Sequence, residues 1–314
     1  MLLSAGFGVG LVFYGMAEPI QHLMEPPHGQ AEPGSTAAAS LAMQYSFFHW
    51  GVSQWAAFSL VGLIIAFFQF RKDRPGLVST MVEPVTKNLP KRQLISDSLD
   101  VLAVLATVMG VATSLGLGVL QMNGGLETVF GWPDNLWSKV AILGAMFLCY
   151  MASSYSGLDK GIRLLSNLNM GLCLGFMGYM LFTGPTVLIL DNFVNGLGNY
   201  LGNFINMALN IPPFEKSDWM NRFTLFYWAW VIAWSPFVGT FVARISKGRT
   251  IREFVLGVML LPTSIMFFWF CAFGGTALNI SLGGDATLVE APMCFVNEAA
   301  PSAKEPRSLH TQSS

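Results

Sequence analysis

Seven apolar stretches of this chain contain no Asp, Glu, Lys or Arg: residues 1–17, 38–70, 101–126, 140–158, 164–190, 223–243 and 254–284. Most exceed the roughly 20 residues that a helix needs to cross the hydrocarbon of a bilayer. A soluble domain devotes about a quarter of its residues to charge, whereas here the charged share is 11% against 53% hydrophobic. In lipid the backbone must satisfy its own hydrogen bonds, so such stretches insert as helices. The expected fold class is an all-α membrane protein with about seven transmembrane helices. The first run is the shortest, because Glu18 follows it at once.

Cytoplasmic loops hold an excess of Lys and Arg. With the amino terminus inside, the loops after the second, fourth and sixth runs carry Arg71, Lys72, Arg74, Lys87, Lys91, Arg92, Lys160, Arg163, Arg244, Lys247, Arg249 and Arg252, which is 12 of the 17 basic residues. The asymmetry implies a multi-pass protein of the cell (plasma) membrane with a cytoplasmic amino terminus. Cys149, Cys173, Cys271 and Cys294 are dispersed and without metal-ligand spacing, so they read as packing residues. The histidines His22, His28, His49 and His310 make no HExxH motif or His–Cys cluster. Without a nucleophile–base pair or a metal cluster, an enzyme is not expected, and no nucleic-acid partner is expected either.

Between the runs, Pro26, Pro27, Gly29, Pro33 and Gly34 mark an outer loop, and the connection 71–97 is basic and punctuated by proline. Residues 191–211 place Phe193, Leu197, Tyr200, Leu201, Phe204, Ile205 and Ala208 at helical spacing. This pattern predicts an amphipathic helix on the outer surface, although its several glycines leave an ordinary loop as the alternative. After Gly284 the chain turns polar and loses apolar periodicity, as a disordered tail does.

Two motifs point to a binding site. In "SAGFGVGLVFYG", Gly6, Gly8 and Gly10 recur every second residue, which is not the four-residue step of a helix-packing motif. That density favours an unwound segment, tolerated in a bilayer only where the freed backbone lines a cavity or binds something. Close helix packing is the alternative. In "FYWAWVIAWSPF", Trp230 and Trp234 share one face with Tyr227, and in "FHWGVSQWAAF" Trp50, Gln54 and Phe58 follow the same step, with Trp55 beside them. Indoles usually gather at the membrane interfaces. Two aromatic ridges inside the membrane can instead cage a cation, and quaternary ammonium is the ligand class best suited to such a cage. Plain packing of aromatics competes with this reading.

Glu18, Asp97 and Asp100 lie at the ends of runs, so a proton relay has no evident carrier at mid-depth. Thr107, Thr113 and Ser114 could offer oxygen to a hard cation, or bond back to their own helix.

The runs "AGFGVGLVFYGMAEP", "FHWGVSQWA", "ATSLGLGVLQ" and above all "FYWAWVIAWSPFVGTFVARISKGRTIREFVLGV" resemble the betaine/carnitine/choline transporter family over about residues 1–279. The resemblance implies a secondary carrier in the leucine-transporter-like fold of two inverted five-helix repeats, with a partial chain here. On that template residues 1–190 form the first repeat, 191–217 an extracellular amphipathic helix or loop, 218–280 the first two helices of the second repeat, and 281–314 the tail. Two leading and three trailing spans of the family are expected to be absent. Trp50, Trp230 and Trp234 match the family's aromatic box, Trp55 a nearby tryptophan, and Phe58 a position that is often tyrosine. A third box tryptophan is Val231 here. Gly6, Phe7, Gly8 and Gly10 match the family's substrate-side glycine stretch. Gly10 replaces the aspartate of proton-coupled choline carriers, which implies Na⁺ coupling. Ala5, Phe7, Thr107 and Phe237 match cation positions, while a frequent threonine is Val111.

The implied activity is import of small quaternary ammonium osmolytes such as glycine betaine by alternating access, with Na⁺ as coupling ion and no other cofactor. The lipid bilayer and a homotrimeric assembly are the implied partners besides the small-molecule substrate. Alternatives are an inactive membrane fragment of such a carrier, or a choline or carnitine carrier working by proton coupling or exchange.

Overall fold

A computed structural model describes residues 8–155, 163–211 and 218–284. Among them every regular element is helical. In chain order these are α1 (Gly8–Met24), α2 (Thr36–Trp50), α3 (Val52–Ala66), α4 (Val78–Thr86), α5 (Arg92–Phe130), α6 (Leu136–Tyr155), α7 (Arg163–Thr183), α8 (Thr186–Ala208), α9 (Phe226–Ile245), α10 (Ile251–Trp269) and α11 (Thr276–Leu282). Wider π-helical turns follow α3, lead into α9 at Asn221–Leu225 and join α10 to α11 at Phe270–Gly275. Ala5, Gly6, Phe7, Cys294, His310 and the expected tail beyond Gly284 lie outside the described residues.

Local sequence sets several boundaries. Ser35 caps α2 by accepting from the Ala38 amide at 3.1 Å, and Thr250 with Glu253 forms a reciprocal capping box at the start of α10. Gly131 closes α5 in the left-handed conformation that glycine adopts without a side-chain clash.

Among the described residues, four helical stretches are long and apolar enough to cross a membrane: Thr36–Arg71, Arg92–Phe130, Asn221–Ile245 and Ile251–Leu282. A fifth counts if the bent pair Ser166–Thr183 and Thr186–Ala208 is taken as one span. The pair turns through 110° at Gly184–Pro185, where proline has no amide hydrogen to continue the ladder. Thus the uncharged run 164–190 rounds a corner, and the amphipathic segment begins at Thr186 rather than at 191. The segment is helical, and its stripe of Ile189, Gly196, Tyr200 and Met207 is buried. A Cβ on Gly196 would lie 3.1 Å from the Phe47 ring of α2, and Tyr200 meets Phe267 of α10 edge to face. That face of α8 therefore rests on the protein's own helices.

The core lies where α1, α2, α3, α9 and α10 meet. There α3 and α9 cross with their backbones nearly touching: a Cβ on Gly62 would sit 3.2 Å from the Gly239 carbonyl oxygen, and one on Gly239 3.0 Å from the Gly62 nitrogen. Small residues allow such an approach between membrane helices.

Of the glycine stretch only Gly8 and Gly10 fall within the described residues, and Gly6 lies outside them. From Gly8 onward α1 is regular helix, and Gly10 serves close packing, since a Cβ there would lie 2.7 Å from the Trp230 ring. A break occurs at Gly51, whose φ of −90° and ψ of −146° separate α2 from α3. Hence Trp50, Gln54 and Phe58 do not share one continuous helix. A Cβ on Gly51 would stand 2.3 Å from the Phe47 carbonyl oxygen, so only glycine fits this turn.

Candidate functional site

Trp50 ends α2 at the Gly51 break and is fully buried. Its indole meets Trp230 of α9 edge to face, with centroids 5.6 Å apart and planes at 80°. Tyr227 stands against it at 5.6 Å, Phe270 at 5.6 Å and Tyr14 of α1 at 6.0 Å. Tyr14 also touches Tyr227 and Trp230. This is a closed aromatic nest made by α1, α2, α9 and the turn after α10. Separations of this size are ring contacts, so a ligand enters only if the rings part.

The other expected box residues are divided between neighbouring contacts. Trp234, one turn beyond Trp230, packs on Phe237 and on Gly110 of α5, where a Cβ would lie 2.7 Å from its Nε1. That Nε1 is buried without a hydrogen-bond partner. Trp55 and Phe58 meet each other edge to face on α3 at 5.6 Å, past the break. A small cleft beside Gly51 is lined by His49, Ser53 and Gln54 on one side and by Tyr227, Trp228 and Val231 on the other. The small side chain of Val231 leaves this space open.

The hydroxyls separate in the same way. Thr107 bonds back to the Ala103 carbonyl at 2.8 Å, and Thr113, which is exposed, to that of Met109 at 2.9 Å. Ser114 is buried with its Oγ unpartnered. Cys271 is buried and Cys173 half-buried, as packing residues are, but Cys149 is exposed.

Two readings from the sequence need correction. The first concerns Glu18, which is not a terminal charge at the edge of a run but a fully buried carboxylate at the centre of a network. Its Oε2 accepts from Trp50 Nε1 at 2.5 Å, and its Oε1 lies 2.6 Å from His49 Nδ1 and 3.3 Å from His22 Nε2. His49 in turn reaches Thr224 Oγ1 through Nε2 at 3.0 Å and lies flat against Tyr227 at 4.8 Å. The second concerns the histidines: His22 and His49 do form a cluster, with Glu18, whose ligand atoms lie within 4.8 Å of one another. Sequence spacing hides it because His49 comes from another helix, 31 residues beyond Glu18. The only local signal is the i,i+4 pair Glu18 and His22.

Comparison with known proteins decides the family. The sequence model of "BCCT, betaine/carnitine/choline family transporter" matches residues 1–301. The chain belongs to this family. Its members are transporters and not enzymes, so this is a multi-pass membrane protein of a transporter family. Among curated relatives, the ectoine/hydroxyectoine transporter of Virgibacillus pantothenticus is 52% identical over 291 residues, covering 93% of this chain and 58% of that protein. A glycine betaine transporter of Bacillus subtilis is 46% identical over 287 residues, 90% of this chain and 56% of that protein. The high-affinity choline transport protein of Escherichia coli K12 is 40% identical over 294 residues, 93% of this chain and 43% of that protein. The chain thus spans about half the length of the curated relatives it matches.

Proposed function

We propose that this chain builds the substrate-binding part of a secondary carrier that imports small zwitterionic or quaternary ammonium osmolytes, glycine betaine first among them, by Na⁺-coupled alternating access. The observation that carries this reading is the Trp50–Trp230 pair beside the Gly51 break. Broken helices mark binding sites in such carriers, and parted indole faces attract a methylated cation that has no proton to donate. Trp50, Trp230 and Tyr227 would wall the ammonium group, with Tyr14 closing the nest. Trp234, Trp55 and Phe58 would shape its flanks. Backbone around residues 6–10 would take the carboxylate or the cation, with Ala5, Phe7 and Phe237 at cation positions. For Na⁺, the buried and unpartnered Ser114 hydroxyl is the best-placed oxygen, whereas the Thr107 and Thr113 hydroxyls are already engaged by their own helix.

The same proposal includes about seven spans, a cytoplasmic amino terminus in the plasma membrane, the first repeat over 1–190, an extracellular segment 191–217, the first two helices of a second repeat over 218–280, and a homotrimer. A second substrate, ectoine, is favoured by the 52% identical relative of that name.

The test is equilibrium binding of labelled glycine betaine and labelled ectoine to the chain purified in detergent, with Na⁺ or K⁺. Saturable, Na⁺-dependent binding of betaine that Trp50→Leu abolishes supports the reading. Preference for ectoine replaces the substrate while keeping the site. Failure to bind either compound, with the chain folded, sinks the proposal for this chain and leaves an inactive membrane piece.

A further inference from the structure

The buried trio Glu18, His22 and His49 raises a question of charge. Glu18 and His22 are 0% exposed and His49 is 5% exposed. A buried carboxylate is costly unless a positive partner compensates it. The side chains that meet Glu18 are His22, His49 and Trp50, with Tyr227 beside them, and none carries a permanent positive charge. Two imidazoles and a carboxylate oxygen converging on one point suit a cation shared among them.

We propose that Glu18, His22 and His49 form a site for a divalent transition metal of the zinc class. The donor set is two nitrogens and one oxygen, which suits zinc and its neighbours, whereas Na⁺, Mg²⁺ and Ca²⁺ seek oxygen alone. With bonds of about 2.0–2.1 Å, tetrahedral donors lie roughly 3.3 Å apart. The His22–Glu18 edge is 3.3 Å and the His49–Glu18 edge 2.6 Å, with all three ligand atoms within 4.8 Å of one another, so a bound metal would draw the second pair apart. Outer contacts hold two of the three ligands, while the Nδ1 of His22 is buried without a partner. Thr224 Oγ1 holds the far nitrogen of His49 at 3.0 Å, and Trp50 Nε1 holds the far oxygen of Glu18 at 2.5 Å, leaving His49 Nδ1 and Glu18 Oε1 directed inward. Partners of this kind fix ligand orientation in zinc sites. Three protein donors leave a fourth position open. The site shares Trp50 with the aromatic nest, so occupancy by metal would fix that indole in place.

The experiment titrates ZnCl₂ into the purified, chelator-stripped full chain in detergent by calorimetry, with X-ray absorption at the zinc edge. Expected are one saturable site per chain, histidine scattering and no sulfur ligand. His22→Gln and His49→Gln are each expected to abolish it, while His28→Gln keeps it. Thr224→Val, which removes only the orienting hydroxyl, is expected to weaken affinity by roughly 10–100-fold. Absence of saturable binding, binding that survives both histidine substitutions in folded protein, or a sulfur-ligated spectrum overturns the site. The spectrum of the unaltered chain decides the matter if a variant does not fold. Because the readout is zinc and not osmolyte, its failure is distinct from failure of the carrier reading.

Discussion

The helices around Trp50 and the long helix α5 are both apolar, yet they treat their surfaces in opposite ways. Only 17% of the apolar window of α5 is buried, against 39% for the spans that contain α2, α9 and α10. Leu102, Val104 and Met109 of α5, with Phe147 and Leu148 of α6 and Phe176 of α7, stand exposed. Exposed apolar side chains suit an apolar surrounding such as lipid tails, which are as apolar as they are. The inner group does the reverse: it buries glycine, tryptophan, histidine and a carboxylate. Hydropathy says that both groups insert, whereas buried polar atoms and close backbone crossings mark the inner group as the one proposed to bind.

Paired substitutions sharpen this contrast. The largest effect is expected from Glu18→Ala, which strands the Trp50 and His49 donors and should cost about 3–5 kcal/mol. Glu127→Ala on exposed α5 should stay within about 0.5 kcal/mol. Thermal unfolding in detergent separates the two, and an equal small effect would deny the network a structural role. Next, Gly239→Leu drives a side chain into the α3 backbone and should cost about 1–3 kcal/mol. Gly171→Leu on α7, with nothing within 4 Å of a new Cβ, should be neutral in the same assay.

For ligand, Trp230→Leu is expected to weaken glycine betaine binding by roughly 30-fold, about 2 kcal/mol of cation–π attraction. Trp137→Leu, on an indole exposed at 79%, should leave it unchanged; equal losses would break the assignment. The smallest shift is expected from Ser114→Ala, a loss of about fivefold in apparent Na⁺ affinity, near 1 kcal/mol for one hydroxyl contact. Thr113→Ala, whose hydroxyl already bonds to Met109, should show none in the same Na⁺ titration.

Sequence by itself determined that the chain is an inserted bundle of helices, because charge-free runs of that length have no other stable form in lipid. It also determined the tryptophans of interest, since indoles away from the interfaces need a reason. The helicity of the segment 191–211 was legible from its period, although on the face it marked Tyr200 is buried while Leu201 and Ile205 stand exposed, and the family was legible from long runs of matching residues. Tertiary structure alone decided the rest. Whether a glycine breaks a helix or admits a neighbour depends on what packs there: Trp230 sits on Gly10 within regular helix, while Gly51 separates α2 from α3. A back-bonded Thr107 and an unpartnered Ser114 look alike in a sequence. Glu18, His22 and His49 become one cluster only when α1 and α2 pack side by side, because a charge's partners are fixed by contacts between helices and not by distance along the chain.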